Sequence, residues 1–404
     1  MNVSQPGHHK QHLQERVCYQ DLARAYLCQK LPHTIERFLG DDGLFFEQLN
    51  SELTPQTELP RRLLVQCRLV VSLCIISQHQ RSDKLLAVAK EAFQGTIERY
   101  YAGPSKGWLF SLDPHGEPAN KERDLYAHTF VLLACAHLFK ASNDRLYRTV
   151  GQETLSFINS RFRAIGGGFF EALDDSLRPL GRTRRQNPHM HLVEGCLAMF
   201  EASGDSTFLS AADEVIQLLQ TKFIDRTSST LREYFDDVLE PSQPLGHIIE
   251  PGHHFEWSWL LRERIRVGRL SSESETTVQY KTLSRCLLDK GLSLGWDTTD
   301  PGIYDEVSYQ GELIKTSKRI WPLMEYVKAL VVADPLDHVP LDNALAFAFT
   351  HYLNHDRGTW VEHLNRTLTP VRDDLPGSTP YHITVAIGCV LDSKSPLAGM
   401  ELNT

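Results

Sequence analysis

Several common protein classes are excluded by what this chain lacks. Its eight cysteines include no Cys-x-x-Cys pair and no zinc-type spacing, so neither a disulfide framework nor a structural metal is expected. Most of them sit inside apolar runs, among them Cys67, Cys74, Cys135 and Cys389, where a free thiol packs as a small hydrophobe. No Pro/Gly/Ser-rich linker and no low-complexity block divides the chain, and the polar stretch Ser271 to Thr277 is too short for a tether. One domain over residues 1–404 is expected, with residues 1–14 as a flexible tail. Positive charge is not in excess: the formal net charge is −9 and the pI about 6.1, which leaves no electrostatic footprint for nucleic acid or an anionic membrane. Met1 to Lys10 is polar and lacks an apolar targeting core, and no 18-residue apolar run stands out, so a cytoplasmic protein without a membrane partner is the expectation.

What the chain does have is a period. Six times, about 60 residues apart, a Gly-plus-aromatic turn leads through a polar loop into an apolar helical run. The turns are Gly43-Leu44-Phe45-Phe46-Glu47, Gly107-Trp108-Leu109-Phe110, Gly168-Phe169-Phe170-Glu171, Glu233-Tyr234-Phe235-Asp236, Gly302-Ile303-Tyr304-Asp305 and Gly358-Thr359-Trp360-Val361-Glu362. Near the start of the helices that follow stand Arg68, His128, His191, His253, Arg319 and His382, separated by 60, 63, 62, 66 and 63 residues. Self-similarity of this length means a repeat architecture in which each unit covers its neighbour's apolar face. Six hairpins fill nearly the whole chain, which predicts an all-α ring, an (α/α)6 barrel with short β-hairpin-like loops at one mouth. A local alignment of Phe130 to Asp144 with His191 to Asp205 pairs His128 with His189 instead of His191, so the register of the six positions is open by two residues.

Two repeats share His-x-x-Glu, as His191 to Glu194 and His253 to Glu256, a spacing that puts both side chains on one helical face. Proline precedes His191, His253 and His382 by two or three residues, which places each histidine near a helix N-terminus. There the helix dipole disfavours the imidazolium and favours the neutral ring that a general base requires. A single histidine in such a place is more often a cap or a core residue than a catalyst. Three at repeat-equivalent places converge on one mouth. His-x-x-Glu also resembles carboxylate metal sites, yet Arg68 and Arg319 supply cations to the same cavity, so no metal and no cofactor is expected. The acids of the turns and loops, Asp174 among them, are candidates to hydrogen-bond sugar hydroxyls. Trp257, Trp259, Trp321 and Trp360 are candidates for stacking on sugar rings, and Arg184 and Arg185 for an anionic group.

The segments Arg185 to Glu194 and Glu250-Pro251-Gly252-His253-His254-Phe255-Glu256-Trp257 resemble the signatures of the N-acylglucosamine 2-epimerase superfamily, as do Tyr126-Ala127-His128, Arg319 to Glu325 and Tyr381-His382. Within it they look closest to the D-mannose isomerase branch. The resemblance implies an (α/α)6 barrel that interconverts sugars at C1 and C2 without a metal. It implies His253 and His382 as the acid/base pair with Glu256 supporting His253, and Arg68 and His191 in the substrate-binding ring; His128, Glu194, Arg319, Trp321, Asp174 and Trp257 are the further candidates around a monosaccharide such as mannose or fructose. A monomer or homodimer is expected. A sugar 2-epimerase is the alternative; an (α/α)6 glycoside hydrolase, which needs two opposed carboxylates, and a non-catalytic binding protein are more distant ones.

Overall fold

The computed structural model describes residues 19–333 and 338–393; the tail expected over residues 1–14 lies outside them. Six helices form an inner wall: Leu63–Gln80 (α1), Leu125–Ser142 (α2), Gln186–Ser203 (α3), Pro251–Val267 (α4), Ile320–Val331 (α5) and Pro380–Asp392 (α6). Outside them run Asp83–Tyr100, Arg145–Phe157, Ser206–Leu218, Glu275–Gly295 and His338–His351. The sixth outer position belongs to the N-terminal segments Tyr19–Ala25 and Leu31–Glu36, joined by a π-helical turn. Each inner helix packs on the next and α6 packs on α1. The ring is closed, and the fold is the (α/α)6 barrel.

An inner helix touches protein on every side, and its sequence shows it. In α1 every residue from Leu63 to Ser77 is buried, the pattern of a helix without a solvent face. This corrects the expectation that no apolar 18-residue run occurs. By length and composition Leu63–Gln80 and Leu125–Ser142 could each cross a membrane, but 83% and 67% of those stretches are buried inside the protein. After α1, α2 and α3 the chain reverses into the outer helix in two residues. Arg81, Asn143 and Gly204 take left-handed conformations that end α1, α2 and α3, and Ser82, Asp144 and Asp205 then cap the outer helices by accepting from the N–H of Leu85, Leu146 and Thr207.

The mouth at the N-terminal ends of the inner helices is laced by short antiparallel pairings between neighbouring repeats. Arg61–Arg62 pairs with Ser111–Leu112, Arg123–Asp124 with Ala172–Leu173, Arg184–Arg185 with Tyr234–Phe235 and Lys318–Arg319 with His363–Leu364. Gln48–Leu49 pairs with Leu375–Pro376 and so joins the last repeat to the first. The next turn also caps the preceding inner helix: the first N–H of α1, α2, α3 and α5 donates to the carbonyl of Phe110, Glu171, Glu233 and Glu362, satisfying a group the helix itself leaves unpaired.

These bridges give the true register of the turns. The equivalent residues are Phe45, Trp108, Phe169, Leu231, Ile303 and Trp360, each bridged to the end of the preceding outer segment. The fourth turn is therefore Leu231-Arg232-Glu233, three residues earlier than the sequence pattern suggested, and Ser229 with φ 55° stands where other turns have glycine.

Candidate active site

The inner helices carry polar residues at separate levels. Four residues after the helix-capping position stand Gln66, His128, His189 and His254, and each accepts the N–H of its own turn: Phe45 N to Gln66 Oε1 at 2.8 Å, Trp108 N to His128 Nε2 at 3.1 Å, Phe169 N to His189 Nε2 at 3.0 Å and Leu231 N to His254 Nε2 at 3.0 Å. This level latches the mouth loops to the wall. His128 belongs to it, fully buried and stacked on Phe157, so its assignment to the substrate ring is corrected. The local alignment that paired it with His189 had the right register. His253 and His382 stand one residue nearer the mouth, and Arg68 and His191 two residues deeper, so the six sequence positions never formed one ring.

A cavity of about 180 Å³ opens on this mouth. Of the candidate residues it gathers Arg68, His191, His253, Glu256, Arg319, Trp321 and His382. Tyr126, Asn187, Glu250, Glu362 and Ser378 complete its wall. Two further candidates lie elsewhere. Asp174 accepts from the N–H of Arg178 and pairs with its guanidinium, because it closes its own loop. Trp257 is buried behind the wall and donates from Nε1 to Gln186 Oε1 at 2.7 Å. Nor do the arginines before α3 offer an anion site: Arg184 is spent on the carbonyls of Phe169, Gly167 and Asp237, and Arg185 pairs with Glu171.

His253 and His382 flank one indole, with ring centroids 5.0 Å and 5.8 Å from that of Trp321. Each is backed by a carboxylate at Nδ1, His253 by Glu233 Oε2 at 3.0 Å and His382 by Glu325 Oε1 at 2.7 Å. Glu256 does not support His253; it lies on the same helix but points toward His191 Nδ1, 3.6 Å away. The two imidazoles differ in proton affinity. Burial alone lowers a histidine's affinity for a proton, but Glu233 and Glu250 outweigh it at His253 and raise it to about 9, which overturns the expectation of a neutral ring there. At His382 burial and then the charges of Arg68 and Lys328 push it well below the ordinary imidazole range. As an imidazolium His253 has a donor at both nitrogens. Asn187 Nδ2 stands 3.1 Å from His253 Nε2 while its Oδ1 has no partner, and a half-turn of the amide satisfies both groups.

Below these lies a buried charged layer. His191 Nδ1 bonds Glu194 Oε2 at 2.9 Å, and the Tyr381 hydroxyl donates to Glu194. Glu194 is deeper than the cavity wall and fixes His191. Both carboxyl oxygens of Glu256 lack a hydrogen-bond partner among the described residues, and burial and then the charge of Glu325 push its carboxyl well above the usual range. The Arg68 guanidinium donates to Ser378 O at 3.1 Å and Tyr126 Oη at 2.7 Å and lies 4.3 Å from the Phe130 ring. Two sets of one histidine and two carboxylates are close enough to hold a cation, His191 with Glu194 and Glu256, and His253 with Glu233 and Glu250. In each a protein cation is already present: Lys328 beside the first, and Arg319, 3.1 Å from Glu250, beside the second.

Glu233, Glu250, Glu325 and Lys328 were not among the sequence candidates. Glu233 had a signal: Glu47, Glu171, Asp305 and Glu362 each stand two residues after the bridging turn residue, and correct alignment of the fourth turn adds Glu233 to that series.

An (α/α)6 ring whose mouth holds two carboxylate-backed histidines of opposed proton affinity, beside arginine and an indole, is the apparatus of a sugar-converting enzyme of the epimerase and isomerase class. The model of the N-acylglucosamine 2-epimerase family matches residues 43–386, and the chain belongs to that family. It is 31% identical over 365 residues to a mannose-6-phosphate isomerase of Rhizobium meliloti, covering 87% of this chain and 90% of that one. It is 26% identical over 304 residues to a D-mannose isomerase of Thermobifida fusca, covering 70% and 72%. A sugar epimerase from a ruminal bacterium superposes with a TM-score of 0.84 at 17% identity, over 94% of this chain and 100% of that one.

Proposed function

We propose that the protein is an aldose-ketose isomerase acting on D-mannose and D-fructose by proton transfer through a cis-enediol, with His382 as base and His253 as acid. The observation that carries this is that two histidines facing one cavity are driven in opposite directions in proton affinity, His253 up and His382 down. Groups whose environments drive their proton affinities apart mark the acid and the base. His382 Nε2 removes the C2 proton of the open-chain aldose; the C–H electrons form the C1=C2 bond and the carbonyl electrons pass to O1, which takes a proton from His253. O2 then returns its proton to His253, and His382 delivers the first proton to C1. Arg68, with no carboxylate on it among the described residues, stabilises negative charge on the enediolate oxygens.

The cavity supports a single neutral sugar ring. Its volume lies below the roughly 300–1,000 Å³ of sites for larger ligands. Glu250, Glu256 and Glu362 share its wall, and Arg319 is already held by Asp305 at 2.9 Å as well as Glu250. A 6-phosphate would meet carboxyl groups, and among the described residues of the wall Arg68 is the one cation without a carboxylate partner. The second reading is a sugar 2-epimerase, favoured by the presence of two histidines, His253 and His382, both beside Trp321, so that one can take the C2 proton and the other return it. Proton and carbon NMR of D-mannose and of D-mannose 6-phosphate incubated in deuterated water with chelator-treated protein tests both. Fructose from mannose supports the isomerase, glucose deuterated at C2 without free fructose supports the epimerase, and turnover of the phosphate alone contradicts the neutral substrate.

A further inference from the structure

Beneath the two histidines the barrel axis holds one ammonium. Lys328, on α5, is fully buried, and its Nζ lies 2.6 Å from Glu325 Oε2 in an ion pair not aligned as a hydrogen bond. Glu325 is one helical turn nearer the mouth, and its other oxygen holds His382 Nδ1. The Lys328 ammonium also rests 3.9 Å from the ring centroid of Trp259. A lysine without solvent, over an indole, in a barrel lined by carboxylates is expensive to bury, since removing a charge from water is repaid only by well-placed partners.

We propose that Lys328 is a positioning residue: it keeps Glu325 ionised, so that Glu325 accepts from His382 Nδ1–H and leaves Nε2 with a lone pair toward the substrate. The inference rests on the reading of His382 as the base. A buried carboxyl beside other carboxylates tends to hold its proton. A protonated Glu325 would instead donate to Nδ1 and force the proton onto Nε2, the tautomer that cannot take a proton from C2. Burial pushes Glu325 up and Lys328 draws it back. The other charges that act on this pair are known. Glu194 and His191 face it from α3 and Glu256 from α4, all within the same layer. Tyr381 and Cys389 approach from α6, with Arg68 beyond from α1. Lys328 is the cation in contact with Glu325; Arg68 is turned to Tyr126 and Ser378.

The test compares turnover of D-mannose, to whatever product, across pH in the wild type, Lys328→Met, Lys328→Arg, Glu325→Gln and the double variant E325Q/K328M. Lys328→Met should lose at least tenfold near neutral pH and regain activity as pH rises and Glu325 gives up its proton, while Lys328→Arg keeps most of the activity. The double variant should turn over no more slowly than E325Q, because the lysine acts only through the glutamate. A loss that is uniform across pH, or a double variant slower than E325Q by a further tenfold, overturns the inference. If Lys328→Met fails to fold, the comparison of E325Q with E325Q/K328M decides, since removing both charges leaves no lone buried carboxylate. Near wild-type turnover in His382→Ala would instead overturn the reading of His382 and not this inference alone.

Discussion

The indole of Trp321 lies against the backbone of Gly252 so closely that a Cβ on the glycine would stand 2.5 Å from the ring. Gly252 precedes His253 directly, and the Trp321 ring lies 5.0 Å from that of His253 and 5.8 Å from that of His382. The glycine of Pro251-Gly252-His253 therefore makes room for the indole that both histidines pack against. Gly252→Ala must displace the indole, because Pro322 stands 3.0 Å away on the same side. Turnover should fall at least tenfold with a small change in melting temperature, and intrinsic tryptophan fluorescence should shift. Unchanged turnover would mean that the seating of the indole does not matter to the two histidines.

Removing either histidine should be more damaging. A positioned acid or base contributes about 10² to 10⁴-fold, so His253→Ala and His382→Ala should each lower kcat by at least the smaller factor with the circular dichroism of the folded protein intact. Arg68→Ala should lower kcat, because the guanidinium meets charge that develops on the enediolate oxygens, and raise KM only to the extent that it also binds the ground-state sugar. A loss confined to kcat would place its contact in the transition state alone.

The alkaline side of the pH profile belongs to His253. It holds its proton to about 9 because Glu233 and Glu250 outweigh burial, so kcat/KM should be level from neutral pH and fall near pH 9 as the acid is lost. Glu233→Gln removes the charge at Nδ1, and the fall should move to lower pH by one unit or more. An unmoved limb would assign it to another group.

The repeat was legible because each unit must bury a whole helix and return the chain through a tight turn, and both needs leave marks in composition: an apolar run, a glycine and an aromatic residue at fixed intervals. The level of each polar residue along its helix was not. Histidine serves in two roles, as a latch accepting a turn N–H at His128, His189 and His254, and as a cavity residue at His253, His191 and His382; one helix carries both kinds side by side at His253 and His254. Only the hydrogen-bond partner distinguishes them, and that partner is about 20 residues away in the preceding turn. Glu233 and Glu325 were hidden for a related reason. Each backs a histidine on a different inner helix or repeat, at separations of 20 and 57 residues, where no helical spacing points. His-x-x-Glu suggested the wrong partner for His253 and the right one for His191, where Glu194 is on the same face and close enough to bond.

The latch histidines give the fold an acid limit. His128 is held neutral to about 4 by burial, against the pull of the Asp124 carbonyl, and His189 and His254 to about 3. An unfolded imidazole titrates near 6.5. Between that value and the folded one the unfolded chain binds a proton that the folded chain refuses, so stability falls as pH drops through the window, by up to about 1.4 kcal/mol per pH unit for each such residue. Gln66 fills the same place in the first repeat without titrating, its Oε1 accepting from Phe45 N at 2.8 Å, and His128→Gln should do likewise at Trp108. Whatever its stability at neutral pH, the variant should lose less between pH 6.5 and 4.5 than the wild type does, by about one proton's worth of slope. Urea unfolding at several pH values reads this directly, and parallel curves for the two proteins would show that His128 is not held neutral in the folded state.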